Sequence, residues 1–562
     1  MRILIILLCV TFSSYSCANS PQNEEAEALA PAPTDGVQLG EVNLPVTGNA
    51  AAQGAFKKGL LLLHSFEYED ARAAFQEAQA ADSTMVMAYW GEAMTHNHPL
   101  WRQLAAEEGQ AALAKLAPNT KDRLVLAATP LERDFMAAVE LLYQEEGTKQ
   151  ERDQQYANQL AKMKKKYPDQ LEVAAFYALS LLGAVPVGRD EEAYEQAARI
   201  AQGVMAENPQ HPGALHYLIH AYDDPAHAAK AIPAANSYSK VAPSAAHALH
   251  MPSHIYVSMG MWEEVIQSNI ASWKASVDRM KDKELDDNAR SYHAFHWRLY
   301  GLTQQGRYEE AGRQMTEFKR YTSTEPNGPA RSYMASVTAN YLVETNDWSN
   351  EEVQSINPDL EDMNILVRAI RHFTTGWRAY LAKDQEALAT TLTAMAKERK
   401  DASNQVTASG APMCSAAGSS RALPNQLDID QAYVLALELE AMQAQLEGDL
   451  TETERLLKAA VELEQATSYS YGPPRIVQPS YELYGRWLLE QGRPTEALVQ
   501  FDYALAKGPG RLHALAGALQ AAEATRNTTR AKALYEELKS NLEKADQAVR
   551  LRYLSEEMLS SI

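Results

Sequence analysis

Two stretches of the sequence, "ALHYLIHAYDD" and "ALHMPSHIYVS", each carry two histidines with three residues between them. The first pair is His216 and His220, and the second pair, His250 and His254, follows 34 positions later. Residues four apart lie on the same side of a helix, so each pair would present two imidazoles about 6 Å apart at Cβ. Such a nitrogen-rich site suits Zn, Cu, Ni or Fe, and it does not suit Mg or Ca. The spacing therefore predicts a transition-metal site.

Five further side chains near these pairs could take part in the same chemistry. We expect His247, His293 or His296 to complete the ligand set or to act in acid–base steps. Asp223 or Asp224 could add an oxygen ligand or orient a histidine by accepting its outer N–H. Histidine is also a hydrogen-bonded packing residue between helices, so structural use of the whole set is the alternative interpretation.

Two features leave the ligand set open. Pro252 lies inside the second pair, and because proline lacks an N–H and clashes with the preceding turn, the helix must kink or begin there. Another histidine cluster, His96 and His98, occurs in "YWGEAMTHNHPLW" near a predicted helix end at Pro99. This cluster could be a second ligand set, could close onto the first, or could only cap its helix.

Helices must position these residues, because the chain from about Gln53 onward has the composition and periodicity of α-helix. Apolar residues recur at i, i+3 and i+4, and short turns carry Gly, Asp, Asn or Pro. No convincing run alternates as a β-strand does. Three segments share a turn followed by small residues at regular places: "LLEQGRPTEALVQFDYALAKGPG", "LTQQGRYEEAGRQMTEF" and "GLLLLHSFEYEDARAAFQEAQAADS".

This shared pattern resembles the tetratricopeptide repeat, a helix–turn–helix unit of 34 residues. The same period separates Ala197, Ala231 and Val265, and it separates Pro209 from Pro243. The resemblance implies an all-α fold, a right-handed α-solenoid of stacked helix–turn–helix repeats that share one core. The histidine segments also look like signatures of a broad bacterial group of uncharacterised tetratricopeptide-like proteins. That likeness implies a fold and a site, and it brings no established chemistry.

The resemblance covers most of residues 50–540, with longer or degenerate units near 100–190 and 325–470. In the resembled repeat, the first helix lines the concave surface with positions 2, 5, 9, 12 and 13. Seven histidines fall at positions 2, 5 and 9 of three adjacent repeats: His216, His220, His247, His250, His254, His293 and His296. The resemblance therefore implies that these imidazoles face one groove.

The first 17 residues predict a bacterial lipoprotein signal. A positive start precedes the apolar core "ILIILLCV", and "SSYSC" places small residues before Cys17, which would carry the lipid. Ser14 stands where an aliphatic residue is usual, so ordinary cleavage after Ala18 is the alternative. With Cys9 lost in the signal, Cys414 would have no disulfide partner.

The rest of the chain divides into three expected parts. Residues 18–45 predict a flexible, acidic and Pro-rich tether; residues 46–325, an N-terminal array with the histidine cluster; and residues 326–562, a C-terminal array. Two long connections interrupt the arrays, at 403–427 and at 468–479. The second, "SYSYGPPRIVQP", could be a lid across a groove, although we favour a connector between uneven repeats.

Charge and missing motifs narrow the function. A net charge of −21 argues against a nucleic-acid partner and against broad adhesion to anionic lipid. The sequence has no phosphate-binding glycine loop, no Gly-x-Ser-x-Gly, no His-Glu-x-x-His and no Cys-x-x-Cys. We expect an exported protein, anchored through Cys17 in the bacterial cell envelope and facing the periplasm or outer membrane. Its groove would bind an envelope protein, a peptide or a small-molecule ligand, and a transition-metal ion could mediate this binding. The alternatives are a metal-dependent hydrolase or oxidoreductase, and metal carriage or sensing without turnover.

Overall fold

The computed structural model describes residues 36–407, 410 and 422–554. The chain divides after Gln38, and every helix belongs to the unit that begins at Leu39. The predicted signal, with Cys9 and Cys17, most of the predicted tether, and Cys414 all lie outside the described residues. Among the helices of the described part, none combines the length and the apolar composition needed to cross a bilayer.

The described residues form 27 α-helices and one short β-hairpin, so the all-α prediction is confirmed. The first fourteen helices are α1 (Ala50–His64), α2 (Tyr68–Ala81), α3 (Val86–Met94), α4 (Ala106–Ala114), α5 (Thr120–Leu126), α6 (Pro130–Tyr143), α7 (Lys149–Lys166), α8 (Leu171–Gly183), α9 (Glu191–Glu207), α10 (Pro212–Ala221), α11 (Ile232–Val241), α12 (Ala246–His250), α13 (Pro252–Ser258) and α14 (Trp262–Asp282). The others are α15 (Tyr292–Gln304), α16 (Tyr308–Tyr321), α17 (Gly328–Thr345), α18 (Glu351–Gln354), α19 (Ile365–Leu381), α20 (Gln385–Ser403), α21 (Gln426–Glu447), α22 (Leu450–Ala466), α23 (Ser480–Glu490), α24 (Pro494–Lys507), α25 (Leu512–Ala524), α26 (Thr528–Asn541) and α27 (Gln547–Tyr553). The hairpin, for which the sequence carries no alternating pattern, pairs β1 (Asn97–His98) antiparallel with β2 (Gln103–Leu104).

Consecutive helices pack as an α-solenoid of helical hairpins, and small residues set how closely they approach. Phe75 on α2 lies between Gly59 on α1 and Gly91 on α3, where an added Cβ would come within 2.8 and 2.4 Å of its ring. Phe501 on α24 lies between a second pair of glycines in the same way. The glycines are therefore needed for packing, and alanine in their place would overpack the core at a cost of about 1–3 kcal/mol.

The turn inside a repeat depends on one left-handed residue, two positions before the second helix. A positive φ is found at that position in Gly260, Gly306, Gly448, Gly492, Phe66, Lys383 and Arg526. Glycine adopts this conformation without steric strain, whereas other L-residues lose about 1–2 kcal/mol there. Phe66 is therefore strained, and its ring faces the histidine cluster described below.

Four helices carry the surface that bears His216, His220, His247, His250, His254 and His293, which we call the histidine face. The first helices of three adjacent repeats are α10, the broken helix α12–α13, and α15. The break settles the question raised by Pro252, because α12 ends at His250 and α13 begins with Pro252 as its first residue. Proline suits that position, since the first N–H of a helix has no intrahelical partner in any case.

The last repeats pack back against the middle of the chain. The indole N–H of Trp262 donates to the carbonyl of Gly510 at 2.9 Å. Next to it, the buried guanidinium of Arg511 donates to Glu344 at 3.0 Å and to Glu482 at 2.6 Å. Because these partners come from separate repeats, the solenoid is held by contacts between distant units as well as between neighbours. The expected boundary between residues 325 and 326 falls in the connection from α16 to α17.

Candidate metal centre

Six of the nine predicted ligands lie together as two groups of three. We call the first group the first triad: His250, His254 and His293. We call the other group the second triad: His216, His220 and His247. Within each triad, one ring nitrogen per histidine lies within 4.8 Å of the other two.

The first triad has nitrogen spacings that match ligands around one ion. The Nε2 atom of His250 is 3.1 Å from Nε2 of His254 and 2.9 Å from Nε2 of His293. For metal–nitrogen bonds of about 2.0–2.1 Å, ligands separated by 90° lie about 2.8–3.0 Å apart, and tetrahedral ligands about 3.3–3.4 Å apart. The observed spacings fall in this range.

Hydrogen bonds on the far side of two rings fix where their protons are. Nδ1 of His250 lies 2.7 Å from Oδ1 of Asn269, whose amide nitrogen donates to the carbonyl of Val265 at 2.7 Å. That second bond orients the amide, so Oδ1 accepts and His250 carries its proton on Nδ1. Nδ1 of His254 lies 3.2 Å from a carboxylate oxygen of Asp223, which accepts in the same way. Both Nε2 atoms are therefore unprotonated, and their lone pairs face each other.

Burial keeps these rings neutral. Burial lowers the pKa of His250 to about 4, although the bond to Asn269 acts to raise it. Burial, reinforced by the neighbouring imidazoles, lowers the pKa of His254 well below its ordinary value. A proton shared between the two Nε2 atoms is thus disfavoured at neutral pH, and neutral imidazole is the form that binds metal.

The second triad repeats this arrangement on α10 and α12. Nδ1 of His216 donates to the carbonyl of His64 at 2.7 Å, so its Nε2 is unprotonated, and that atom lies 3.2 Å from Nε2 of His247. Nδ1 of His220 lies 3.3 Å from Asp223, and its buried Nε2 has no hydrogen-bond partner. Burial lowers the pKa of both His216 and His247 well below the ordinary value.

The carboxylate of Asp223 accepts a hydrogen bond from one histidine of each triad. Oδ2 of Asp223 lies 3.3 Å from Nδ1 of His220 and 3.2 Å from Nδ1 of His254, and its other oxygen is 3.6 Å from Arg189. Burial raises the pKa of Asp223, and the hydrogen bond from His220 opposes that rise. Asp224 instead pairs with Arg189 at 2.9 Å and with His227 at 2.9 Å. Of the two aspartates considered in the sequence, Asp223 is therefore the one that orients histidines.

Aromatic side chains surround the imidazoles. Trp297 stacks on His254 with ring centroids 4.7 Å apart, and the ring of Phe66 lies 4.3 Å from that of His216. The loop between α22 and α23, residues 467–479, which we call the cover loop, places Tyr471 4.6 Å from the ring of His254. This loop includes the whole of the segment 468–479, which the sequence favoured as a connector, and it lies directly on the histidine face.

Three predicted ligands lie outside both triads. Nε2 of His296 faces Oδ1 of Asn340 at 2.5 Å, because this side chain leaves α15 on a different side from His293. His98 stacks on Tyr68 with ring centroids 3.9 Å apart and contacts Gln103 and Thr95. His96 stays half-buried near the hairpin, where burial lowers its pKa to about 4.

A further histidine cluster, missed from the sequence, serves as a contrast. His64 contacts Tyr217 at 2.8 Å and Glu172 at 2.7 Å, and His211 accepts from the backbone N–H of Ala214 and faces Glu172 at 3.3 Å. Burial acts to raise the pKa of Glu172, but the two imidazoles hold it below its ordinary value. Both imidazoles of this cluster pair with a carboxylate, which distinguishes it from the triads, although the buried Nε2 of His211 makes no hydrogen bond. No spacing signal joins residues so far apart in the chain.

Comparisons with known proteins give the chain no family. No family model matches it, and no curated protein matches it. Similar solved structures include a crystallised TPR domain (13% identical, covering 85% of this chain and 99% of that chain, TM-score 0.22) and yeast Tom70 (10% identical, 91% and 98%, TM-score 0.31). Another is a human IFIT1 dimer with PPP-AAAA (11% identical, 88% and 95%, TM-score 0.35). These structures share the helical-repeat fold with the chain and indicate nothing about its function.

Proposed function

We propose that this protein is a repeat-built binding protein in which the first triad holds a transition-metal ion, and that the ion binds a ligand or partner on the histidine face. One observation carries the proposal: the Nε2 atoms of His250 and His254 face each other at 3.1 Å while both Nδ1 protons are held by acceptors. Two lone pairs at that distance repel, and a cation between them turns the repulsion into two bonds. Three imidazoles suit Zn, Cu, Ni or Fe.

Metal analysis of the full chain, produced without a histidine tag, tests the proposal. We expect stoichiometric metal in the wild type and a loss of the first-triad ion in His293→Ala. The matched control is His296→Ala, three residues along the same helix and outside both triads. Metal that survives His293→Ala, or that disappears equally in the control, would contradict the assignment.

A metal-dependent enzyme is the second candidate, and the number of ligands favours it. Three protein ligands leave a coordination position for water or substrate, as in catalytic zinc sites. Hydrolysis of a chromogenic ester by the metal-loaded protein, absent in His293→Ala and retained in His296→Ala, would support this function. Equal rates in the two variants would exclude the triad as the catalyst.

We further propose that the protein is exported and anchored in a bacterial envelope membrane through lipid on Cys17. Labelling with a radioactive fatty acid should mark the wild type and should not mark Cys17→Ser. A mature N-terminus found after Ala18, without lipid, would support ordinary secretion instead.

A further inference from the structure

We infer that the centre is dinuclear: the second triad binds its own transition-metal ion beside the ion of the first triad, with Asp223 linking the two. This inference rests on the proposed function of the first triad and goes beyond it. It assigns His216, His220 and His247 to a separate site with a separate ion.

The protons of the second triad are placed as a metal site requires. A backbone carbonyl can only accept, so the bond from Nδ1 of His216 to the carbonyl of His64 leaves its Nε2 with a lone pair. The carboxylate of Asp223 does the same for His220, whose Nε2 is buried without a partner. A buried nitrogen left unpaired costs about 1–3 kcal/mol, and a metal ion removes that cost.

Asp223 argues for two ions rather than one shared ion. A single ion between the triads would need this carboxylate, or one histidine from each triad, as direct ligands. Instead Oδ2 of Asp223 accepts from the Nδ1 atoms of His220 and His254, which turns both Nε2 atoms away from it. His220, Asp223 and His254 also lie close enough together to hold one ion. That ion would displace both hydrogen bonds to Oδ2 of Asp223 and would leave the close Nε2 pairs of the two triads without a cation. The carboxylate orients one ligand of each ion, and this is the usual role of an outer partner to a metal-bound histidine.

The surroundings of the second triad point the same way. Phe66, like Lys383 and Arg526 in other repeats, holds the left-handed turn conformation that glycines adopt without strain. Its ring lies 4.3 Å from that of His216, and it also packs on the other two histidines of this triad. This ring forms an apolar wall on the three imidazoles, and an apolar wall strengthens metal–nitrogen bonds by excluding water.

The donor set defines the chemical class of the pair. Each ion would have three neutral imidazoles, with no thiolate among the ligands, and Asp223 would supply one negative charge behind both. Such ligands suit copper and zinc. Because neutral ligands leave the charge of a buried ion uncompensated, two monovalent copper ions cost less to bury than two divalent ions.

Counting ions tests the inference. The full chain, stripped with a chelator, is loaded separately with Zn(II) and, under anaerobic reducing conditions, with Cu(I), and then dialysed for metal analysis. We expect two ions per chain for at least one metal, one ion in His220→Ala, one ion in His293→Ala, and two ions in the control His296→Ala. The milder variant His247→Ala, whose side chain is less buried than that of His220, repeats the second-triad test if His220→Ala fails to fold.

The outcomes separate this inference from the proposed function. One ion per chain, lost in His293→Ala and kept in His220→Ala and His247→Ala, overturns the dinuclear centre and leaves the first site standing. One ion lost in variants of either triad means a single shared site, which also overturns the inference. No ion with either metal overturns both proposals. Asp223→Ala should weaken the binding of both ions about 10- to 100-fold. An effect on the binding of only one ion would contradict the proposed link through Asp223.

Discussion

Replacing Asn269 by leucine should weaken metal binding while leaving the metal-free fold almost intact. Asn269 lies on α14, and its amide oxygen accepts the Nδ1 proton of His250 at 2.7 Å. Leucine has a similar volume and no acceptor. In the metal-free variant, the proton of His250 can move to Nε2 and donate to His254, which lies 3.1 Å away. Metal binding forbids that rearrangement, because the ion occupies Nε2.

The size of the affinity loss follows from the Nδ1 proton of His250, which must stay on Nδ1 when the metal binds Nε2. With an ion on Nε2, the Nδ1 proton of His250 must stay in a buried position whose best acceptor has been removed; only the hydroxyl oxygen of Ser253, at 3.4 Å, is left. An unsatisfied buried donor costs about 1–3 kcal/mol. Since 1.4 kcal/mol is a tenfold change, the affinity of the first site should fall about 10- to 100-fold. The free energy of unfolding without metal should change by less than about 1 kcal/mol.

Two measurements check this expectation. Competition against a chromophoric chelator gives the affinity, and urea unfolding with excess EDTA gives the stability of the metal-free chain. Asn269→Asp, which keeps an acceptor at the same place, should retain wild-type affinity. An affinity of Asn269→Leu within about threefold of wild type would refute the reasoning. Equal losses of stability with and without metal would show that Asn269 acts on the fold alone.

Three further predictions concern stability. Arg511→Met leaves two buried glutamates unpaired and should lower the free energy of unfolding in urea by about 3–5 kcal/mol; a loss below about 1 kcal/mol would contradict the buried ion pair. Burial raises the pKa of Glu464 to about 7, above its unfolded value of 4.5, so the folded state binds the extra proton and stability falls as pH rises through that interval. Glu464→Gln should remove up to about 3 kcal/mol of this fall, and parallel pH profiles for variant and wild type would refute it. Gly472→Ala combines a φ of 94° with a Cβ only 2.3 Å from Trp297, so it should destabilise the protein more than Gly448→Ala, which has a φ of 80° and no atom within 4 Å; equal effects in urea would mean that the contact is unimportant.

The sequence could predict the fold because the features that set it are local. A left-handed turn residue lies two positions before the second helix in several repeats, and small residues lie where helices cross, so both can be found within one repeat. The Gly59–Phe75–Gly91 packing is an example, with equal spacing along the chain on either side of the phenylalanine. The β-hairpin near His98 was missed because two paired residues per strand leave no periodic pattern.

The candidate site was predictable only in part. Offsets within each helix place seven histidines on one face, and six of them form the triads. The division into triads depends on how neighbouring repeats are rotated, which the sequence does not state. His296 has the same repeat position as His216 and His250, yet it bonds to Asn340 on the next repeat. A signal was present for Asn269, because asparagine in the middle of a long helix is unfavourable and calls for a polar partner.

The late position of the cover loop in the sequence predicts when metal ions can reach the two triads. All six imidazoles belong to helices that end by Gln304, whereas the loop that contacts His220 and His254 starts about 160 residues later. At about 5–20 residues per second, a nascent chain exposes its histidines for roughly 8–30 s before Tyr471 has been added. We expect ions to enter during that interval and to leave slowly afterwards. Metal supplied to the finished protein should therefore bind more slowly than metal present while the chain is being made.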